Sequence, residues 1–153
     1  MSNDQWLVAI RRFVRHLPRT EDKALVILKG HLLIEALLRE SIDRKLVKPK
    51  ALEEGKFGFF HCVCIAKAIY AKETPSWLWD ALRKLNNIRN LLAHKLEPVG
   101  LEDKITDFMT YVEKHRDKRP TLRSVAKDHP LRLALGDVHS ELLLLHPYED
   151  GGA

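Results

Sequence analysis

Residues 21–44 constrain the fold more than any other stretch of the chain. Leu25, Leu28, Leu32, Ile42 and Leu46 mark one stripe at helical spacing, and Val26, Leu33 and Leu37 widen it. A helix apolar over so much of its circumference must be surrounded by other helices, which predicts a bundle with this segment at its centre. Thr20 is the expected N-cap, with Glu21 and Asp22 in the first turn where acids suit the helix dipole. Gly30 lowers helix stability, so its presence here predicts a close crossing by another helix. Glu35 falls within the apolar stripe and has two readings. It is either an acid at the margin of the stripe or the partner of a buried cation, for which Arg89 is the candidate. His31, one turn earlier, reads as a packed or capping histidine.

The other segments follow the same period. Residues 3–16 form a short amphipathic helix with Trp6, Ile10 and Phe13 inside and Arg11, Arg12 and Arg15 off that face, ended by Leu17-Pro18-Arg19. After Pro49 and a polar connection, residues 57–72 place Phe59, Phe60, Val63, Ala66, Ile69 and Tyr70 on a helical face. A further helix runs from about Trp77 to Leu96, with Ser76 as its cap, and Trp77 and Trp79 point to different sides, one toward the core and one toward a dimer contact. Pro98 and Gly100 stop it, and Leu101, Ile105, Phe108 and Val112 line the next helix. Residues 118–128 read as a linker. Pro130 then opens a last helix with Leu131, Leu135, Val138, Leu142 and Leu145 at heptad-like spacing, although Leu131, Leu133 and Leu135 also alternate as a short strand would. The run Leu142–Leu145 exceeds one packing face and is expected to dock on a partner subunit, before a disordered tail at 149–153. The organisation is a single-domain, all-α antiparallel bundle of about five or six helices. Residues 1–19 form a helix packed on it, 20–117 the core, 118–129 a linker, and 130–153 a C-terminal helix and tail.

Composition narrows the class. At 153 residues the chain has room for one domain with a real core. No apolar run approaches the ~20 residues of a membrane span, and the N-terminus lacks a signal-peptide core, so a cytoplasmic protein without membrane partners is expected. Cys62 and Cys64 lie in an apolar segment and read as buried thiols; with only His61 nearby they lack the second ligand pair of a metal site, and neither metal nor cofactor is expected. The net charge of +5 and pI near 9.3 favour a polyanionic partner. The excess lies in Arg11, Arg12 and Arg15, in residues 44–50 and in residues 114–119, where solvated helix ends are the plainer explanation.

The chemical signal is Arg89-Asn90-Leu91-Leu92-Ala93-His94. Leu78, Leu82, Leu85 and Leu92 form the apolar stripe of its helix, with Arg89 at the edge. Asn86, Asn90 and His94, four apart, form a polar stripe of their own. A guanidinium, a carboxamide and an imidazole held together can bind a phosphate and move protons around it.

Arg89-Asn90 followed by Ala93-His94 resembles the HEPN motif, an Arg and a His separated by a short spacer with a polar residue after the Arg. Residues 85–94 and the earlier Lys29-Gly30-His31-Leu32-Leu33-Ile34-Glu35 resemble the small HEPN-like proteins grouped with the mannitol operon repressor, and the resemblance covers about residues 20–117. It implies a dimeric helical bundle acting as a metal-independent endoribonuclease, toxin-like or defence-related, with an antitoxin or regulatory protein as a further partner. Arg89, Asn90 and His94 would be the catalytic residues; the helical stripes of this sequence add Glu35 and Asn86 as supporting groups. The alternative within the same resemblance is a non-catalytic regulatory or protein-binding module. Toxins of this kind paired with a nucleotidyltransferase carry Tyr two residues after the motif His; here that position is Leu96, so modification at that site is not expected.

The chemistry of the residues agrees with those roles. His94 is the motif side chain that titrates near neutral pH, which suits a general base or acid at the 2′-hydroxyl of RNA. Arg89 keeps its charge and can hold two phosphate oxygens as the phosphorane forms. Asn90 can donate to phosphate or orient His94. On an ideal helix, five residues subtend about 140°, so Arg89 and His94 of one chain point apart and a second copy is expected to complete the site.

Overall fold

The computed structural model describes residues 3–117 and 129–145, and every regular element among them is a helix. Seven helices follow one another: α1 (Asn3–His16), α2 (Lys23–Asp43), α3 (Lys50–Glu53), α4 (Phe59–Tyr70), α5 (Ser76–His94), α6 (Leu101–His115) and α7 (Pro130–Leu143). This is the all-α bundle that the helical spacing predicts, with the single turn α3 added in the connection after Pro49. The alternating leucines at 131–135 lie in a helix, not a strand. The expected linker at 118–128 and the tail at 149–153 lie outside the described residues.

The centre of the bundle is α7, and α2 forms one wall around it. Leu131, Ala134, Leu135, Val138 and Leu142 are fully enclosed by α1, α2, α5 and α6. The surplus leucines at the end of α7 do not await a partner subunit: Leu142, Leu143 and Leu145 are buried within the chain, and only Leu144 is exposed. The position of α7 is hard to read from its sequence because Arg132, Asp137, His139, Ser140 and Glu141 are buried beside the leucines. Polar groups of that kind ordinarily mark an outer face.

Helix α2 buries a different side from the one its leucines suggest. Val26, Ile27, Ile34, Leu38 and Ile42 face the core, whereas Leu25, Leu28 and Leu32 are 41%, 38% and 59% exposed. A helix apolar almost all round carries no internal instruction about which side faces inward. The neighbour decides, and here α7 crosses at Gly30, where a Cβ would stand 2.7 Å from Leu135 Cδ1. The close crossing expected of Gly30 is therefore present. The cap is Asp22, whose carboxylate accepts from Leu25 N at 3.1 Å, while Thr20 Oγ1 accepts from Asp22 N. Trp77 and Trp79 are both buried, so neither is left for a dimer contact.

Three links bring the ends of several helices together. Arg132, in the first turn of α7, donates to the carbonyls of Leu17 (3.0 Å), Pro18 (2.6 Å) and Val14 (3.3 Å) and so caps the C-terminal end of α1. Lys23, the first residue of α2, pairs with Glu102 at the start of α6 at 2.6 Å. The loop from Lys95 to Gly100 joins the end of α5 to α6, with Gly100 at φ 78 supplying the left-handed turn. The C-terminal ends of α1 and α5 and the N-terminal ends of α2, α6 and α7 thus lie at one end of the bundle.

Arg132 is 3% exposed, so its guanidinium and the carbonyls it serves share a site closed to water. Arg132→Met should destabilise the chain by about 2–4 kcal/mol, because those carbonyls lose a charged donor without regaining solvent. Urea denaturation checks the loss, and faster proteolysis between residues 17 and 22 should accompany it.

Candidate functional site

Helix α5 is anchored by its first three turns. Trp77, Leu78, Trp79, Ala81, Leu82, Leu85 and Ile88 are buried against α2, α4, α6 and α7. Burial ends at Ile88. Beyond it Arg89, Ala93 and His94 are exposed, and Asn90, Leu91 and Leu92 are half-buried. The last turn and a half therefore presents its polar groups to solvent from a rigid base. Lys95 leaves the helix in an extended conformation (φ −132, ψ 129), immediately after His94.

Arg89, Asn90 and His94 share this helix end, as expected, but their mutual contacts differ from the expectation. Arg89 Nη1 donates to Asn90 Oδ1 at 3.3 Å, a long bond on the surface. Asn90 thus engages the guanidinium and makes no hydrogen bond to His94. Among the described residues the His94 ring has no hydrogen-bond partner, and Arg89 has no carboxylate partner. The remaining donors of the Arg89 fork are open to an anion.

Glu35 does not pair with Arg89. Its Oε1 accepts from Arg39 Nη2 at 2.7 Å and Nε at 3.1 Å, one turn along the same helix. Arg39 Nη2 also donates to the Phe57 carbonyl at 2.7 Å, which ties the pair to the segment before α4. An i,i+4 partner is available to Glu35 as soon as α2 forms, so the local pair is made in preference to one across helices.

One turn before Glu35 on α2 stands His31, which is 2% exposed. Its Nδ1 is 3.8 Å from Glu35 Oε2, and its ring tilts against Phe59 of α4 with centroids 4.2 Å apart. Asn86 and Arg89 of α5 act on it from the other side. Burial is the main influence and holds the ring below the usual imidazole range; Arg89 works in the same direction, while Glu35 and Asn86 oppose both. Asn86 stands near enough to favour the protonated ring, yet Nε2 is enclosed without a partner of hydrogen-bond geometry. Asn86, itself 8% exposed, therefore belongs to the seam under the motif and not to the surface. The sequence identified His31 as packed, but nothing in its spacing placed it beneath Arg89; that juxtaposition arises from the α2–α5 crossing.

Among the described residues no three His, Cys, Asp or Glu side chains gather as metal ligands. Cys62 is buried, and that burial pushes its thiol upward, as expected of a packed thiol, whereas Cys64 is exposed. Among the described residues no helix is long and apolar enough to cross a membrane.

The state of His31 links this seam to stability. Its pKa is lowered in the folded chain, so the unfolded chain binds the proton more readily, and stability is lost as pH falls below about 6.5. One such group contributes a slope of up to ~1.4 kcal/mol per pH unit. Thermal melts of the wild type between pH 7.5 and 5 should fall more steeply than those of His31→Gln, and parallel curves would show that His31 is not a source of the acid sensitivity.

No known protein family, characterised protein or solved structure matches the chain. The arrangement of Arg89, Asn90 and His94 above the His31 seam carries the functional argument by itself.

Proposed function

We propose that the protein is an endoribonuclease that works without a metal ion, toxin-like or defence-related, and that its active unit is a homodimer. The observation that carries this reading is the uncommitted state of the motif: Arg89 and His94 face solvent at one helix end, and neither is engaged by a carboxylate. In this mechanism a His94 imidazole removes the 2′-hydroxyl proton, and O2′ attacks the adjacent phosphorus. The P–O5′ bond then breaks and O5′ takes a proton, leaving a 2′,3′-cyclic phosphate and a 5′-hydroxyl. Arg89 stabilises the charge on the non-bridging oxygens. Two proton transfers are needed at opposite sides of the phosphorus, and two copies of the motif supply one imidazole for each.

Support for the second copy comes from α2 and α4. Leu25, Leu28 and Leu32 of α2 and Phe60 of α4 are exposed apolar side chains, on the helices that also hold His31 and Phe59 under the motif. Apolar surface of this kind is what a self-complementary two-fold interface covers. This replaces the leucines of α7 as the dimerisation surface.

The purified chain should cleave RNA in excess EDTA, produce 2′,3′-cyclic phosphate ends and leave DNA intact. His94→Ala should lower the rate by about 10²–10⁴-fold. Equal rates for the two proteins would turn the reading to a non-catalytic binding or regulatory module.

Leu28→Asp/Leu32→Asp changes two exposed residues and should leave the melting temperature within a few degrees of wild type. Sedimentation should show the dimer converted to a monomer, with RNA cleavage lost. A wild-type protein that cuts RNA as a monomer would remove the need for the second copy.

A further inference from the structure

The arginines of the described residues fall into two sets. Arg39, Arg44, Arg83 and Arg116 are paired with Glu35, Glu40, Asp80 and Glu113, and Arg132 is committed to the carbonyls at the end of α1. Arg11, Arg12 and Arg15 of α1 and Arg19 in the following loop are exposed and make no hydrogen bond or ion pair among the described residues. Arg89 of the motif is the remaining one, joined to Asn90 alone.

Helix-end stabilisation does not account for this set. The favourable effect of a cation at a helix C-terminus fades beyond the last turn, where Arg15 and His16 lie and Arg11 does not. Arg11 and Arg15 are moreover like charges four apart, an arrangement that weakens a helix by about 0.2–0.5 kcal/mol. The nearby acids do not pair with them: Asp22 is occupied in capping α2, Glu21 makes no ion pair among the described residues, and Asp4 lies at the opposite end of α1. Exposed guanidinium groups held close together without carboxylates suit a ligand carrying several spaced negative charges.

Their position indicates which ligand. The end of α1 is fastened to the start of α7 by Arg132, and the links through Lys23–Glu102 and the α5–α6 loop put the end of α5 at the same end of the bundle. Since α1 packs on α7 and α7 on α5, at most two interaxial steps of about 8–10 Å separate the two helices, up to about 20 Å, or roughly five to six nucleotide steps of a base-stacked strand. We propose that Arg11, Arg12, Arg15 and Arg19 hold the sugar–phosphate backbone of an RNA strand whose scissile phosphate lies at Arg89 and His94. The substrate class is then an RNA segment longer than about six nucleotides, in place of a free nucleotide or a very short oligonucleotide. This rests on the ribonuclease reading for the cut, whereas the binding surface is measurable independently of it.

The test uses full-length His94→Ala protein in EDTA, with fluorescence anisotropy of labelled 20-nucleotide and 5-nucleotide RNAs between 50 and 200 mM salt. Combined Gln replacement of Arg11, Arg12, Arg15 and Arg19 should weaken binding of the 20-mer by at least about tenfold. It should also flatten its log–log salt dependence by about 3, and leave the 5-mer unchanged. The corresponding Lys quadruple should retain most of the affinity, since phosphate attraction needs the charge. If the Gln quadruple fails to fold, Arg15→Gln/Arg19→Gln should show about half the change in slope. Unchanged 20-mer affinity, an equal loss for the 5-mer, or no 20-mer binding by the parent protein at 50 mM salt would each overturn the proposal. So would loss of binding to phosphatidylserine vesicles with RNA binding intact, which assigns the arginines to a membrane surface. Arginine-dependent binding of the 20-mer by a chain that fails to cut RNA in EDTA would sustain this surface and overturn the nuclease reading alone.

Discussion

The burial of α7 is the constraint on which the rest of the structure depends. Four helices lie against it, and its leucines fill the space that α1, α2, α5 and α6 enclose. A bundle built around a central helix can bury that helix on every side, but every polar group on it must then find a partner inside. Arg132 meets this requirement by giving its charged donors to the last carbonyls of α1, groups that a helix end otherwise leaves unsatisfied. One side chain thus completes two helices. Ser140 returns its hydroxyl to the Gly136 carbonyl, which keeps a further polar group within the helix itself.

This centre determines where the chemistry sits. With α7 filling the core and crossing α2 at Gly30, α2 turns Ile27, Ile34 and Leu38 inward and brings His31 against α4 and α5. The end of α5 extends past its buried residues, so Arg89 and His94 stand in solvent on a helix that is rigid below them. A buried imidazole under an exposed guanidinium is an electrostatically tense arrangement, because each disfavours charge on the other. Burial is the main reason that His31 is held below the usual imidazole range, and the Arg89 charge adds to it in the same direction. Glu35, by engaging Arg39, leaves the motif arginine without a carboxylate to neutralise it.

The charge pattern follows the same division between structural and available groups. Four of the ten described arginines, Arg39, Arg44, Arg83 and Arg116, are paired with i,i+3 or i,i+4 carboxylates. Surface pairs of this type contribute little to stability, but they remove charge from the field the protein presents. The charges left over are therefore informative about function. The arginines that neither pair with a carboxylate nor cap a helix lie on α1, in the loop after it and at the end of α5, which the topology places at the same end of the molecule.

Helical periodicity alone determined the all-α class, the approximate bounds of the main helices and the placing of Arg89, Asn90 and His94 on the end of one helix. These are local properties: the spacing of Leu78, Leu82 and Leu85 sets a helix and its inner stripe, and Pro98 and Gly100 stop it. The tertiary structure alone decided which side of α2 is buried, because a helix with leucines, isoleucines and valines all round has several inner faces and its neighbour selects one. It also decided that α7 is central, since the burial of Arg132 and Asp137 depends on groups more than a hundred residues away or on another helix. Glu35 shows the limit most directly. Its place in an apolar stripe suggested a long-range partner, but Arg39 is four residues away and available at no cost in loop closure, so the local pair forms. His31 shows the converse, for its contact with Phe59 and the influence of Asn86 and Arg89 on it exist only once three helices have packed.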